Sequence, residues 1–166
     1  MIILKSLEKK NLKKNDILNI CKLKNSYWKY GIKSNLLWFK KNVKNNDLNI
    51  ILKFNSSLIG YTLLRKRTYF SKNKRKKFFY LDTIIISNKF KGKNFGKTLI
   101  SFNNFIIERF NLLGFLLCEK KNIKFYEKFG WKILNSKKFL ILNEDKKNLH
   151  GMCYNSNENN FKKFNI

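Results

Sequence analysis

The sequence predicts a mixed α/β fold, one sheet with helices on its faces, and three observations predict it. Strand-like runs alternate with stretches of helical spacing in the second half of the chain. The first half carries a hairpin signal, two β-rich runs around Asn55-Ser56-Ser57. The 166 residues, 43% of them apolar, supply one core and little room for a second. One domain over residues 1–154, followed by a polar, frayed tail over 155–166, is the expected organisation.

Ile2–Leu4 is an apolar first strand. Asn15 or Asp16 has the chemistry to cap a helix carrying Ile17, Leu18, Ile20, Cys21 and Leu23. The aromatic segment Tyr27-Trp28-Lys29-Tyr30-Gly31 follows, and Ser34 caps a second helix with Leu37, Trp38 and Val43. Asn49–Phe54 and Leu58–Leu64 are the arms of the hairpin. Phe78–Ile86 reads as the most buried strand, ending in Ile84-Ile85-Ile86. After a loop with Gly92, a helix of about 15 residues starts at Gly96; its Leu99, Ile100, Phe102, Ile106, Ile107 and Phe110 share one spacing. Gly114 breaks it, and Phe115–Cys118 is the next strand. Ile123–Phe129 is a short helix ended by Gly130, and Trp131–Leu134, Phe139–Leu142 and Leu149–Tyr154 are the last strands.

The net charge is +27, from 37 basic and 10 acidic residues. Such a field attracts any anionic ligand, and its plainest reading is a nucleic-acid binder. Composition points elsewhere. Lys, Asn, Ile and Phe fill 92 of 166 positions, while Ala, Gln and Pro are absent and Arg occurs only 4 times. A/T-rich codons spell that pattern without selection for a polyanion, and the lysines are spread along the chain. Nucleic acid is therefore disfavoured as a partner, though the charge does not exclude it. The densest block, Arg65-Lys66-Arg67 through Lys77, is expected to be a solvated hairpin loop flanked by strands. No run approaches the roughly 18 apolar residues of a membrane span. The brief apolar start, Met1-Ile2-Ile3-Leu4-Lys5, is no secretory signal, so a cytoplasmic setting without a membrane partner is expected. Cys21, Cys118 and Cys153 form no CxxC pair and His150 is the single His, so neither a metal site nor a disulfide framework is expected.

The stretch from Asp82 to Ile100 carries the chemistry. A buried strand ends, a basic loop turns, and a helix begins. The first turn of a helix leaves N–H groups unpaired and presents partial positive charge. Gly92 and Gly96 allow close approach to the backbone, and Lys89, Lys91, Lys93 and Lys97 add charge around the turn. A chain binds a pyrophosphate this way. Neither GxxxxGK[ST] nor GxGxxG is met.

Lys91-Gly92-Lys93-Asn94-Phe95-Gly96 resembles the acyl-CoA pyrophosphate loop of the GNAT superfamily of N-acyltransferases, [RQ]-x-x-G-x-[GA]. Lys91 stands for the usual Arg or Gln, and Asn94 for the middle Gly; Asn tolerates left-handed backbone angles better than most residues. About 30 residues on, Phe125-Tyr126-Glu127-Lys128-Phe129-Gly130-Trp131 is similar to the family's later motif, FYekxGF. Many members carry an Asn seven residues before the motif Tyr. Glu119 stands there in this chain, so Asn122 is given no cofactor role.

The resemblance implies a mixed, mostly antiparallel central sheet of six to seven strands with helices on both faces. It also implies transfer of an acetyl or other acyl group from acetyl-CoA (acyl-CoA), a co-substrate, to a primary amine by direct attack in a ternary complex, without a metal. By position, Ile84, Ile85 and Ile86 offer backbone groups to pantetheine and thioester, and Lys91, Gly92, Lys93, Asn94, Phe95, Gly96 and Lys97 hold the pyrophosphate. Tyr126 is the candidate general acid for the leaving thiolate. Asp82, where members often carry a Glu, is the candidate base, acting through water. Tyr27, Trp28, Tyr30, Trp38 and Phe39 are candidate walls of the acceptor pocket. An amino sugar is the first expected acceptor and a protein or peptide amine the second, with the chain a monomer or homodimer. A nucleic-acid-binding module without catalysis, and a GNAT-like acyl-CoA binder without turnover, are the alternatives.

Overall fold

The computed structural model describes residues 1–142, 148–156 and 162–166. Among the described residues four α-helices and nine strands give a mixed α/β fold with a mostly antiparallel sheet, two strands more than the upper expectation. The chain divides into two compact units. One comprises Met1–Arg65 with Thr83–Ile100, the other Lys66–Asp82 with Ser101–Ile166.

In the first unit β1 (Ile2–Glu8) pairs antiparallel with β2 (Leu48–Phe54), and β2 with β3 (Ser57–Ser71). Asn55 and Ser56 both take left-handed angles (φ 44° and 66°), which matches a tight turn to the twist of the strands it joins. Helix α1 (Lys14–Tyr27) has Lys13 at its N-cap, two to three residues ahead of the expected capping residues. Asp16 instead lies in the first turn, where its carboxylate favours the helix dipole and pairs with Lys53 Nζ at 3.2 Å. Helix α2 (Ile32–Asn42) begins after Gly31 rather than at Ser34. Side chains fasten that entry: Gly31 N–H donates to Asn25 Oδ1 (2.7 Å), and Asn35 Nδ2 donates to Gly31 O (2.9 Å). Ile20, Cys21, Phe39, Ile51, Tyr61, Leu63 and Ile85 make this unit's core. A polar bond is buried with it, from Tyr61 OH to Asn49 Oδ1 at 2.7 Å.

The basic block, which passes from Arg65 of the first unit into the second, is strand rather than loop apart from its turn. β3 runs on to Ser71, Lys72 and Asn73 turn the chain (φ 49° and 58°), and β4 (Lys74–Ile86) starts at once. Arg65, Arg67, Tyr69 and Ser71 are buried at every second position of β3, the period of a strand with one covered face. β4 runs parallel to β5 (Leu113–Cys118), in register from Phe78↔Leu113 to Leu81↔Leu116. β8 (His150–Tyr154) pairs antiparallel with β5, and the two-residue β6 (Lys132–Ile133) with β8. The expected tail carries β9 (Lys162–Asn165), antiparallel to Thr68–Phe70 and parallel to β7 (Phe139–Leu142). Phe164 gives the reason: it is fully buried and stacks on Phe115 with ring centroids 3.9 Å apart. Residues 157–161 of that tail lie outside the described residues.

Helix α3 (Phe95–Arg109) has the expected length but stops before Gly114, with Asn111 left-handed (φ 49°) just beyond its end. Gly114 lies inside β5 because a Cβ there would meet Ile107 Cδ1 at 2.9 Å and Trp131 Cη2 at 3.0 Å. Helix α4 (Ile123–Glu127) is a turn and a half, shorter than expected. Tyr154 stacks on Trp131 and donates its hydroxyl to Glu108 Oε1. Burial and that carboxylate push the Tyr154 phenol up to about 12. Among the described residues no helix is long and apolar enough to cross a membrane, and no group of three or more His, Cys, Asp or Glu is placed to hold a metal ion.

Candidate active site

The end of β4, the following loop and the start of α3 all belong to the first unit. Ser87 N–H donates to Ile59 O at 2.8 Å, tying the strand end to β3. A short helical turn (Asn88–Phe90) follows, Lys91 is extended, and Gly92 turns left-handed at φ 77°. A Cβ on Gly92 would meet nothing within 4 Å, so the backbone there is open to a ligand on one side. Asn94 also sits left-handed, at φ 62°, the conformation the family's glycine supplies at that position. Thr98 N–H to Asn94 O (3.1 Å) starts the α3 ladder, so the amides just before it have no partner within the helix.

Around this turn lies a hollow of about 270 Å³. Ile84, Ile85, Ile86, Lys91, Gly92, Asn94, Phe95 and Gly96 line it, together with Tyr27 and Phe90. Eight of the ten expected cofactor-binding residues thus converge; Lys93 and Lys97 are exposed and outside the lining. The loop is held by aromatic packing. Phe90 rests between Phe54 and Phe95, with ring centroids 5.8 and 6.0 Å away. Lys93 Nζ lies 5.6 Å from the Phe90 ring and Lys91 Nζ 5.1 Å from that of Tyr27. The lining holds one cation, Lys91, with backbone amides and apolar side chains and no carboxylate, a set that fits a diphosphate joined to an apolar arm. Tyr27 and Phe90 were not expected in it: Phe90 reads as one more apolar loop residue, and Tyr27 arrives from the far end of α1.

The expected acceptor walls divide. Phe39 is core at 1% exposure, Tyr27 belongs to the hollow just described, and Tyr30 and Trp38 line a separate one. Trp28 is half-buried.

Tyr126 and Asp82 belong to the second unit. Asp82 is half-buried near the end of β4. Tyr126 is buried on α4, its ring edge-on to Phe125 and Trp131 (5.1 and 6.2 Å). A residue with no sequence signal fixes this motif. Asn104 of α3 donates Nδ2 to Phe129 O (2.8 Å) and accepts from Trp131 Nε1 (2.9 Å). It thereby clamps the turn that follows Tyr126 from both sides of Gly130.

The chain thus runs from a buried strand through a basic, partly left-handed loop into a helix, around an anion-suited hollow. Its sequence matches the model of the acetyltransferase (GNAT) family over residues 16–131, and the chain belongs to that family. The fold is that of Escherichia coli ElaA (TM-score 0.69, 16% identity, covering 92% of this chain and 99% of that one). It is similar also to the PaiA N-acetyltransferase of Thermoplasma acidophilum, solved in complex with coenzyme A (TM-score 0.59, 17% identity, 92% and 98%). A third similar structure is the Escherichia coli ribosomal-protein-S18-alanine N-acetyltransferase (TM-score 0.64, 14% identity, 92% of each chain). No curated protein shows significant sequence similarity to the chain.

Proposed function

We propose that the chain transfers an acetyl or other acyl group from acyl-CoA to a primary amine by direct attack in a ternary complex. The hollow at the end of β4 carries this reading, because it gathers strand backbone, left-handed loop and helix start in one place. Family membership and the coenzyme A complex of the Thermoplasma relative support it. Gly92, Asn94, Phe95 and Gly96 present backbone amides to the diphosphate, and Lys91, Lys93 and Lys97 supply positive charge around it. Ile84–Ile86 line the pantetheine arm. The bound thioester supplies an electrophilic carbonyl carbon. A neutral amine forms the new C–N bond, the C–S bond breaks, and one proton passes in net from the amine to the thiolate. Asp82 receives the amine proton through water, and Tyr126 donates to the sulfur. Most of the rate gain comes from holding amine and carbonyl in line. An amino sugar or a protein or peptide amine is the acceptor; the S18-alanine enzyme, named for its action on a ribosomal protein, supports the second.

Calorimetry with acetyl-CoA tests the reading. Binding is expected, weakening as salt screens the lysines. Thiol release on addition of an amine panel then completes the assignment. Acetyl-CoA binding without release under any amine would mark a binder that has lost turnover. No binding, with a steep salt dependence toward random DNA instead, would mark a nucleic-acid module. The Asp82 role has its own readout: in Asp82→Asn the acidic limb of the pH–rate profile moves, and an unshifted limb removes Asp82 from proton transfer.

A further inference from the structure

Lys91 is the one cation in the lining of the hollow at the end of β4. An ammonium on a long flexible stem is a point charge with many rotamers, and the freedom it loses on meeting an anion weakens the binding. This lysine has part of that order before any ligand arrives. Its Nζ lies 5.1 Å from the centroid of the Tyr27 ring, and that ring lines the same hollow as Lys91, Gly92 and Asn94. A ring face attracts an ammonium through its quadrupole and covers it on one side only, so a phosphate oxygen can meet the same ammonium from the other side. Lys93 rests in a similar way 5.6 Å from the Phe90 ring, but Phe90 belongs to the loop, whereas Tyr27 is the last residue of α1.

The Tyr27 ring is itself braced, by residues of the same unit. Trp28 meets it edge-on with centroids 4.9 Å apart. Behind Trp28 stands Lys24, only 6% exposed, its Nζ 5.8 Å from the Trp28 ring and 3.6 Å from that of Trp38 on α2. The backbone is fastened at the same place, where Trp28 N–H donates to Lys24 O at 2.8 Å. Tyr27 nevertheless remains 51% exposed. A ring held this firmly while contributing so little to the core is placed to serve the hollow beside it.

We infer that Tyr27 is a positioning residue for the carrier's diphosphate: its ring seats the Lys91 ammonium where a phosphate oxygen meets it. The inference rests on the acyl-CoA reading and adds to that site a residue from α1, outside both the loop and the later motif.

Calorimetry on the intact chain tests it, with inorganic pyrophosphate and acetyl-CoA as the probes. Tyr27→Leu binds each about three- to tenfold more weakly than wild type, the range of one cation–π contact. Tyr27→Gln, which also removes the ring and suits an exposed helix end, carries the same expectation should leucine fail to fold. Tyr27→Phe keeps the ring face and stays within about twofold of wild type. In a Lys91→Met background Tyr27→Leu makes no further difference, because the cation it serves is gone. A ring that touched the ligand directly would cost the same affinity with or without Lys91. Wild-type affinity in Tyr27→Leu, a loss in Tyr27→Phe as large as in leucine, or a loss that persists in the Lys91→Met background overturns the inference. The two readings fail separately. Pyrophosphate binding coupled to Tyr27 and Lys91, without acetyl-CoA binding, sinks the acyl-CoA reading and keeps the seat; acetyl-CoA binding indifferent to Tyr27 does the reverse. Binding of neither probe sinks both.

Discussion

Tyr126→Phe lowers turnover by about tenfold or more while the protein stays folded and its affinity for acetyl-CoA is unchanged. General acid catalysis contributes about 10²–10⁴-fold in rate, and phenylalanine removes the proton without removing the ring. The ring contacts with Phe125 and Trp131 survive the change, so the stability cost is that of one hydroxyl, about 1 kcal/mol. Steady-state thiol release gives kcat, and calorimetry gives acetyl-CoA affinity. A fall in kcat alone is the signature of a group used in the transition state. Unchanged kcat removes the phenol from the mechanism. A fall accompanied by a large loss of thermal stability reassigns Tyr126 to packing.

Asn104→Leu costs the most stability of any single change argued from this structure. The side chains are similar in volume, but leucine leaves both the Trp131 indole N–H and the Phe129 carbonyl without their partner. Trp131 is 1% exposed and Asn104 8%, so water replaces those bonds poorly. Two orphaned groups together cost about 2–5 kcal/mol. For a chain of this size the melting midpoint falls by about 5–15 °C. Asn104→Asp retains the acceptor for Trp131 and loses the donor to Phe129, and should fall between wild type and leucine. A leucine variant within about 0.5 kcal/mol of wild type would mean that the clamp contributes nothing to folding.

The loop was legible because its residues carry backbone requirements in their identities. Gly92 and Asn94 are the residue types that accept left-handed angles, and both adopt them. Hydrophobic spacing likewise reveals α3 and the strand ending at Ile86. Other positions misled for physical reasons. Gly114 reads as a helix stop because a glycine's letter does not distinguish conformational freedom from a lack of space, and here Ile107 and Trp131 take the space. The Arg65–Lys77 block reads as solvent-facing because charge usually is, yet the alternation of Arg65, Arg67, Tyr69 and Ser71 is a strand period. β9 has too few residues to show a pattern, and its anchor Phe164 meets Phe115 far back in the chain. Asn104 and Lys24 were invisible for a related reason. Each is a polar residue turned inward, and its partners sit on other elements.

The three cysteines, finally, decide how the protein fares among free thiols. Cys21, Cys118 and Cys153 are all buried, which raises each thiol above its ordinary value, and the neighbouring Glu119 helps carry Cys118 to about 11. At neutral pH only about one Cys118 in ten thousand is then ionised, too few to attack a disulfide at a useful rate. An acyltransferase of the proposed kind liberates a mercaptan at every cycle, and thiols so buried and protonated would protect this chain from being capped by that by-product once it oxidises. A chromogenic disulfide reagent added to the folded protein would colour with the liberated carrier rather than with the protein.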